Sequence, residues 1–221
     1  SNVDSATAVV TVVDTIRPTV LTNNPTVYLD ASGAASITTT DINNSSFDNC
    51  GISNLSLNAT SFNCNDVGAN SVTLTVTDVN GNVDSATSVV MVVDTIRPTV
   101  LTNNLPIYLN ASGAASITTT DINNSSFDNC GISSLSLDAT SFDCNDVGAN
   151  TVTLTATDVN SNVDSATSVV MVVDTIRPNV STNNLPIYLN ASGAASITTT
   201  DINNSSFDNC GISSLSLDIT S

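Results

Sequence analysis

The sequence predicts an all-β protein, a tandem array of small β-sandwich domains forming an elongated rod, and three observations predict it. Residues 14–93 recur at 94–173 with 10 differences in 80 positions, and 94–141 recur at 174–221 with 3 in 48. The chain is rich in Thr, Val, Ser, Asn and Asp, which favour strands and turns, and it contains no Glu, Lys or His. Its apolar residues alternate with polar ones instead of recurring at helical spacing. Near-identical copies of this kind add length to a chain rather than building one unique pocket.

Each element of a repeat follows in order. Asp14-Thr15-Ile16-Arg17-Pro18 reads as a linker, with Pro18, Pro98 and Pro178 rigidifying the entry to a first edge strand. Thr26–Asp30, Ala35–Ile42, Ile52–Leu57 and the stretch around Phe62–Cys64 read as short strands separated by Ser, Gly and Asn clusters. Ser71–Asp78 alternates strictly, with Val72, Leu74 and Val76 on one face and Thr73, Thr75 and Thr77 on the other. Val79-Asn80-Gly81-Asn82 is a turn, and Val83–Val93 is the second strand of a hairpin. Ser161 stands where Gly81 does, so the turn of the second copy is less well suited to its backbone. Tyr28, Phe47 and Phe62, the aromatics of the first repeat, are assigned to its core.

The repeats are read as 14–93 and 94–173, preceded by the last strand of another copy (1–13) and followed by the beginning of a further one (174–221). Both ends fall inside a repeat, so the chain is expected to belong to a longer polypeptide whose export signal, anchor and terminal domains lie elsewhere.

Charge narrows the partners. The formal net charge is −17 and the only cations are Arg17, Arg97 and Arg177, so nucleic acid and anionic membrane surfaces are expected to be repelled. No apolar run approaches the roughly 20 residues that cross a bilayer, and membrane insertion of this segment is not expected. At 40% apolar residues with regular alternation, the chain is not expected to be disordered. Catalysis is disfavoured by inventory, because without His, Lys or Glu no ordinary base is present to activate Ser or Thr.

Cysteines occur at two fixed places per copy: Cys50 with Cys64, Cys130 with Cys144, and Cys210, whose expected partner falls beyond Ser221. The spacing reads as one disulfide inside each small domain, which would supply about 3 kcal/mol in the chain-entropy model and points to an oxidising, extracellular compartment. The alternatives are buried free thiols or a zinc site, the latter short of ligands with two thiolates and no His.

Asp48-Asn49-Cys50-Gly51-Ile52, then Cys64 with Gly68 and Asn70, then Val72-Thr73-Leu74 running into Thr77-Asp78-Val79-Asn80-Gly81-Asn82, resembles the hyalin repeat, an immunoglobulin-like module of about this length. The resemblance covers every copy and implies tandem immunoglobulin-like β-sandwich domains. Trp, central to antibody domains, is missing, so the likeness is to the sandwich family at large. Long, acidic, lysine-free arrays of such repeats are similar to the giant surface adhesins of gliding Bacteroidetes exported by the type IX route. That resemblance implies a stalk on the cell surface, used in attachment or gliding motility, which holds a distal domain against a surface or glycan ligand. It also implies O-glycosylation at Asp-Ser/Thr tripeptides, here Ser5, Thr15, Ser85, Thr95, Ser165 and Thr175; the competing reading is a capped turn at each strand end.

Calcium is the candidate cofactor. Asp41–Asp48 and Asp78–Asn82 carry hard oxygen donors at alternate positions, as Ca²⁺ requires. In an immunoglobulin-like sandwich both loops lie where the chain enters, so the linker Asp14 is expected to approach them. The candidate ligands are Asp14, Asp41, Asn43, Asp48, Asp78 and Asn80, with Asp94, Asp121, Asn123, Asp128, Asp158 and Asn160 in the next copy. Without a metal, Arg17 would pair with Asp41, Asp48 or Asp78. Rival functions are a multivalent glycan- or ice-binding array using outward Thr38–Thr40, Thr73, Thr75 and Thr77, or a self-associating surface layer or filament.

Overall fold

The computed structural model describes residues 1–218, and in them the two complete repeats have the same all-β sandwich architecture. The first contains β1 (Thr26–Tyr28), β2 (Ala34–Ser36), α1 (Thr39–Ile42), β3 (Ile52–Leu57), β4 (Ser61–Asn63), β5 (Gly68–Asp78) and β6 (Val83–Val93). The second contains β7 (Leu105–Tyr108), β8 (Ala114–Ser116), α2 (Thr119–Ile122), β9 (Ile132–Leu137), β10 (Ser141–Asp143), β11 (Gly148–Asp158) and β12 (Val163–Val173), and α3 (Thr199–Ile202) follows. No helix among the described residues is long and apolar enough to cross a membrane.

The hairpin expected from alternation is the backbone of the domain. β5 and β6 pair antiparallel with Val72 opposite Ser88 and Leu74 opposite Ala86. β3 adds to the free side of β5, and β1 runs parallel to β6, giving the order β1-β6-β5-β3. The smaller sheet pairs β2 with β4, placing Ala35 opposite Phe62. Val72, Leu74 and Val76 of β5 and Val90 and Val92 of β6 meet Leu29, Ile37, Ile42 and Phe62 in a single core. Burying one such Val or Leu stabilises the fold by about 1.5–3 kcal/mol, so this face holds the two sheets together. The second repeat repeats the order as β7-β12-β11-β9 with β10-β8.

Four expectations need correction. The stretch Ala35–Ile42 is not one strand: after Ser36 the chain turns through Ile37 and Thr38 into α1. Thr38 and Asp41 form a capping box, in which Asp41 Oδ2 accepts from the Thr38 N–H at 2.7 Å and from its hydroxyl at 2.7 Å. That local bonding satisfies the orphan amides of a turn and outweighs the strand preference of three threonines. Phe47 and Tyr28 are not core residues. Phe62 is 6% exposed, but Phe47 is 59% and Tyr28 61% exposed, because both sit where only one side of the chain faces a neighbour. Ser1–Val13, the stretch read as the last strand of another copy, lies in no strand. Cysteine pairing, the fourth, belongs with the site below.

Asn58 and Asn63, which become Asp138 and Asp143, are exposed, and each pair keeps one local role. Asn58 Oδ1 and Asp138 Oδ1 accept from the N–H of Thr73 and Thr153 at 2.8 Å, so amide and carboxylate are interchangeable there. The β5–β6 turn is less tolerant. Gly81 has φ +90° and Ser161 φ +74°, a left-handed backbone that costs a residue with a Cβ about 1 kcal/mol. Ser161→Gly is therefore expected to stabilise the second repeat by about 0.5–1 kcal/mol, read by denaturant unfolding; no gain would show that the turn relaxes without cost.

Candidate acidic centre

The chain divides into two compact units. The first joins Ser1–Pro98 to two loops of the next repeat, Asp128–Ile132 and Asp158–Asn162. The second takes most of the remainder from Thr99 on. The first unit is held by a disulfide between Cys64 and Cys130, and the second by one between Cys144 and Cys210, each spanning 66 residues. Cysteines of the same repeat are therefore not partners, which corrects the pairing of Cys50 with Cys64 and of Cys130 with Cys144. The reason is placement: Cys64 lies at the end of β4, whereas Cys50 precedes β3 beside the linker at the entry of the chain. Cys50 itself is a free, exposed thiol.

Gly33 marks how tightly the Cys64–Cys130 bridge fits. Its φ is +74°, and a Cβ there would fall 2.7 Å from Cys64 Sγ and 3.1 Å from the Asn129 carbonyl oxygen. Only glycine admits the bridge and the Asn129 loop together.

Around that bridge, the carboxylate oxygens of Asp94, Asp128 and Asp158 lie within 4.8 Å of one another. Short loops place each one. Asp94, 5% exposed, accepts through Oδ1 from the Ile96 N–H at 3.1 Å and from Asn129 Nδ2 at 3.3 Å. Asp128 Oδ2 accepts from the Cys130 N–H at 2.8 Å. Asp158, 1% exposed, closes the β11–β12 turn by accepting from the N–H groups of Asn160 and Asn162, both at 2.8 Å. Asn162 Nδ2 also bonds Asp158 Oδ2 at 2.7 Å and the Asp94 carbonyl at 3.4 Å, tying turn to linker. Four further oxygens are buried without a hydrogen-bond partner: Asp94 Oδ2, Asp128 Oδ1, Asn129 Oδ1 and Asn160 Oδ1. Unpartnered buried acceptors beside three mutually repelling carboxylates are costly unless a positive charge meets them.

At the equivalent place in the first repeat, Asp14 and Asp48 come together with Cys50 Sγ instead of a third carboxylate. Asp78 is close enough to raise the Asp14 carboxyl, yet Asp14 lies below its ordinary value, chiefly through the Ile16 N–H and then the Cys50 thiol. For Asp78, burial pushes upward, but the Asn82 side chain and the turn N–H groups outweigh it and the net shift is downward. The Cys50 thiol is pushed up, first by its bond to Asp14 and then by burial and the charges of Asp14, Asp48 and Asp78.

Of the predicted ligands, Asp14 and Asp48 converge with the Asp78 turn nearby, and Asp94, Asp128 and Asp158 converge in the next copy, with Asn160 in the turn that Asp158 closes. Asp41, Asn43, Asp121 and Asn123 do not join them. Asp41 and Asp121 cap α1 and α2, and Asn43 and Asn123 accept from the Ser46 and Ser126 N–H groups at 3.0 Å within their own loops. Asn80 is exposed, unlike Asn160. Arginine pairing does not form either: among the described residues no arginine is paired with a carboxylate, and Asp41, Asp48 and Asp78 are occupied by their own turns. Sequence reasoning missed Asn129 and Asn162, which resemble any turn asparagine; the signal available was the Asp-Asn-Cys string in every copy.

The capping and turn carboxylates set a pH response. Asp14, Asp41, Asp78 and Asp121 are all lowered in the folded chain. A group lowered on folding stabilises above its unfolded value and loses that contribution as pH falls through the folded one. Stability is expected to hold between about pH 7 and 5 and to decline below about pH 4. Urea midpoints at pH 7 and pH 3.5 test this; equal midpoints would contradict it.

Compared with known proteins, the chain matches no family model and no curated protein. Among solved structures it is similar to human mucin-like protocadherin repeats 1–2, at 13% identity and TM-score 0.38, over 71% of this chain and 98% of that one. It is similar to mouse cadherin-23 repeats 22–24 at 14% and 0.37, over 75% and 70%. It is also similar to extracellular cadherin domains 1–4 of protocadherin gamma B7 at 12% and 0.33, covering 77% of this chain and 54%, about half, of that one.

Proposed function

We propose that this chain is a structural segment of an extracellular adhesin, a calcium-bound stalk of tandem repeats that carries a distal binding domain away from a cell surface. The observation that carries the reading is the linkage of each complete repeat to the next copy: Cys64 is bonded to Cys130 and Cys144 to Cys210, each joining the end of one repeat to a loop of its successor, and an acidic centre flanks Cys130 at the entry of the second repeat. A repeated domain that commits its cysteines and its buried carboxylates to connection is suited to holding a spacing. Disulfides support an oxidising compartment outside the cytoplasm. Partners along the stalk are neighbouring repeats of the same chain, and the surface or glycan ligand belongs to other domains. The residues implied as O-glycosylation sites, Ser5, Thr15, Ser85, Thr95, Ser165 and Thr175, are all exposed, which glycan attachment needs. Attachment or gliding motility is the role the hyalin-type and adhesin resemblance adds.

Calcium fits the donor set. Asp oxygens are hard ligands, and the cluster offers three carboxylates, two of which, Asp94 and Asp128, keep a buried oxygen without a hydrogen-bond partner. A bound cation would offset the mutual repulsion of the carboxylates and fix the linker Asp94 to both loops.

Small-angle scattering and thermal unfolding of the chain, with calcium and with chelator, test the reading. A stalk is expected to give a radius of gyration well above the roughly 17 Å of a compact chain of this length. Calcium is expected to raise the melting temperature. A radius near the compact value would sink the stalk, and an unchanged melting temperature would sink the cation.

One observation favours a second reading, multivalent binding. Tyr28 and Phe47, exposed in each complete repeat as Tyr108 and Phe127 also are, offer aromatic faces on which sugar rings stack, alongside the threonine face of β5. Repetition would then multiply weak contacts. Retention of the chain on immobilised glycans, lost in Tyr28→Ala with Phe47→Ala, would support it.

A further inference from the structure

We infer that the outer face of the four-stranded sheet is a contact surface between two copies of this chain, centred on Val89 and Met91 in the first repeat and on Val169 and Met171 in the second. The inference requires neither the cation nor the stalk. It stands on where this acidic chain places no charge.

Strand alternation sorts the side chains of the sheet. Val72, Leu74, Val76, Val90 and Val92 fill the inner side, so the odd-numbered residues of β5 and β6 point outward. Met91 stands between Thr26 of β1 and Ala69 of β5, and Val89 lies opposite Ser71. All five are exposed. Thr73 opposite Thr87 and Thr75 opposite Ser85 continue the face along the hairpin. The four strands contain two charged residues, Asp78 and Asp84, and both belong to the other side. Asp78 is buried, and Asp84 lies opposite Val76, a core residue. The second repeat has the same distribution: Met171 stands between Pro106 and Ala149, Asp158 is buried, and Asp164 lies opposite the buried Ala156. There Leu105, Pro106, Val169 and Met171, with Asn104, line an open groove of about 360 Å³.

Charge selects the occupant. At a net −17, two copies repel wherever aspartate meets aspartate, and they can close only through a surface that carries none. A cationic partner would be drawn to the Asp-rich loops instead. A sugar would set hydroxyl groups against Val89 and Met91, whereas a second copy sets valine and methionine against their like and removes both from water. Two faces in register also bring threonine hydroxyls together, which donate and accept in turn. At about 3.3 Å per residue and 4.8 Å between strands, one face presents about 500 Å², so a pair buries about 1,000 Å², the size of a weak and reversible contact. Repetition of the face along the chain multiplies it.

Analytical ultracentrifugation of the full chain over a range of concentrations tests the inference, in chelator and with the exposed Cys50 thiol alkylated so that no new disulfide joins two chains. The native chain is expected to self-associate reversibly, and more strongly at about 0.5 M than at about 0.05 M salt, because screening relieves the repulsion of the remaining surface. Met91→Asp with Met171→Asp is expected to weaken association at least ~10-fold, while Asn65→Asp with Asn145→Asp, the same added charge outside the four strands, changes it by less than about 2-fold. A chain that is monomeric at every concentration overturns the inference. So does unchanged association in the Met91→Asp, Met171→Asp variant with a native circular dichroism spectrum. Should that variant unfold, Ser71→Asp with Thr151→Asp, exposed on the neighbouring strands, decides in its place. Retention of a monomeric chain on immobilised glycans, lost in the same variant, overturns it as well and gives the face to sugar.

Discussion

Replacing Cys64 and Cys130 together with serine is expected to lower the unfolding free energy of the first compact unit by about 4 kcal/mol. The bridge spans 66 residues, and in the chain-entropy model a loop of that length removes about this much freedom from the unfolded chain. The same substitutions identify the pairing. A bridge inside the repeat, from Cys50 to Cys64, would close a far shorter loop worth about 3 kcal/mol, and Cys50→Ser would then destabilise as much as Cys64→Ser. With the pairing of this structure, Cys50→Ser leaves the denaturation midpoint unchanged while Cys130→Ser does not. Equal losses at Cys50 and Cys64 would show the assignment to be wrong.

The second large effect belongs to the core. Leu74→Ala is expected to cost 2–5 kcal/mol, and Leu154→Ala as much, because each leucine is fully enclosed at the middle of its long strand. Val72 and Val76 flank Leu74 on the same face of β5, and Val90 and Val92 of the adjacent β6 and Phe62 of β4 belong to the same core. Strands hydrogen-bonded on both sides cannot move in to fill the space, so the loss should lie toward the upper end. Thr73→Ala, one residue away on the opposite face, should change stability by less than about 0.5 kcal/mol. Similar losses at both positions, measured by urea unfolding, would mean that β5 is not inserted as described.

These effects also show where sequence was legible. The β5–β6 hairpin could be read from alternation because period-two burial leaves a direct mark on residue choice: Val72, Leu74 and Val76 inside, threonines between them. α1 was not read, since Ile37-Thr38-Thr39-Thr40 favours a strand by propensity; the capping relation of Thr38 to Asp41 decides that turn, and it was present in the string. An aromatic such as Phe47 invites burial by its type, yet a lone aromatic in an Asn-Ser loop has no second face to bury. For the acidic centre, the convergence of Asp14 with Asp48, and of Asp94 with Asp128 and Asp158, follows from the entry-end placement of two loops. Capping roles of Asp41 and Asp121, and the part played by Asn129, depend on hydrogen bonds that residue type alone does not assign. Cysteine pairing was least legible, because partners 14 or 66 residues apart are equally allowed by the sequence, and only the positions of β4 and the β3 entry loop choose between them.

The two bridges also determine how tension would run through the molecule. A pull applied between Cys64 and Cys210 crosses directly to Cys130, follows the backbone to Cys144 and crosses again to Cys210. Residues between the members of each pair hang outside that route, and they include β5, β6, β11 and β12, the long strands that carry the cores. Without the bridges the backbone from Cys64 to Cys210 could be drawn out to roughly 500 Å; with them the taut path is the short Cys130–Cys144 stretch, about 50 Å, plus two bridges. Such a tether yields little before a covalent stop, and its longest strands can lose their packing without lengthening it, ready to refold when the strain passes.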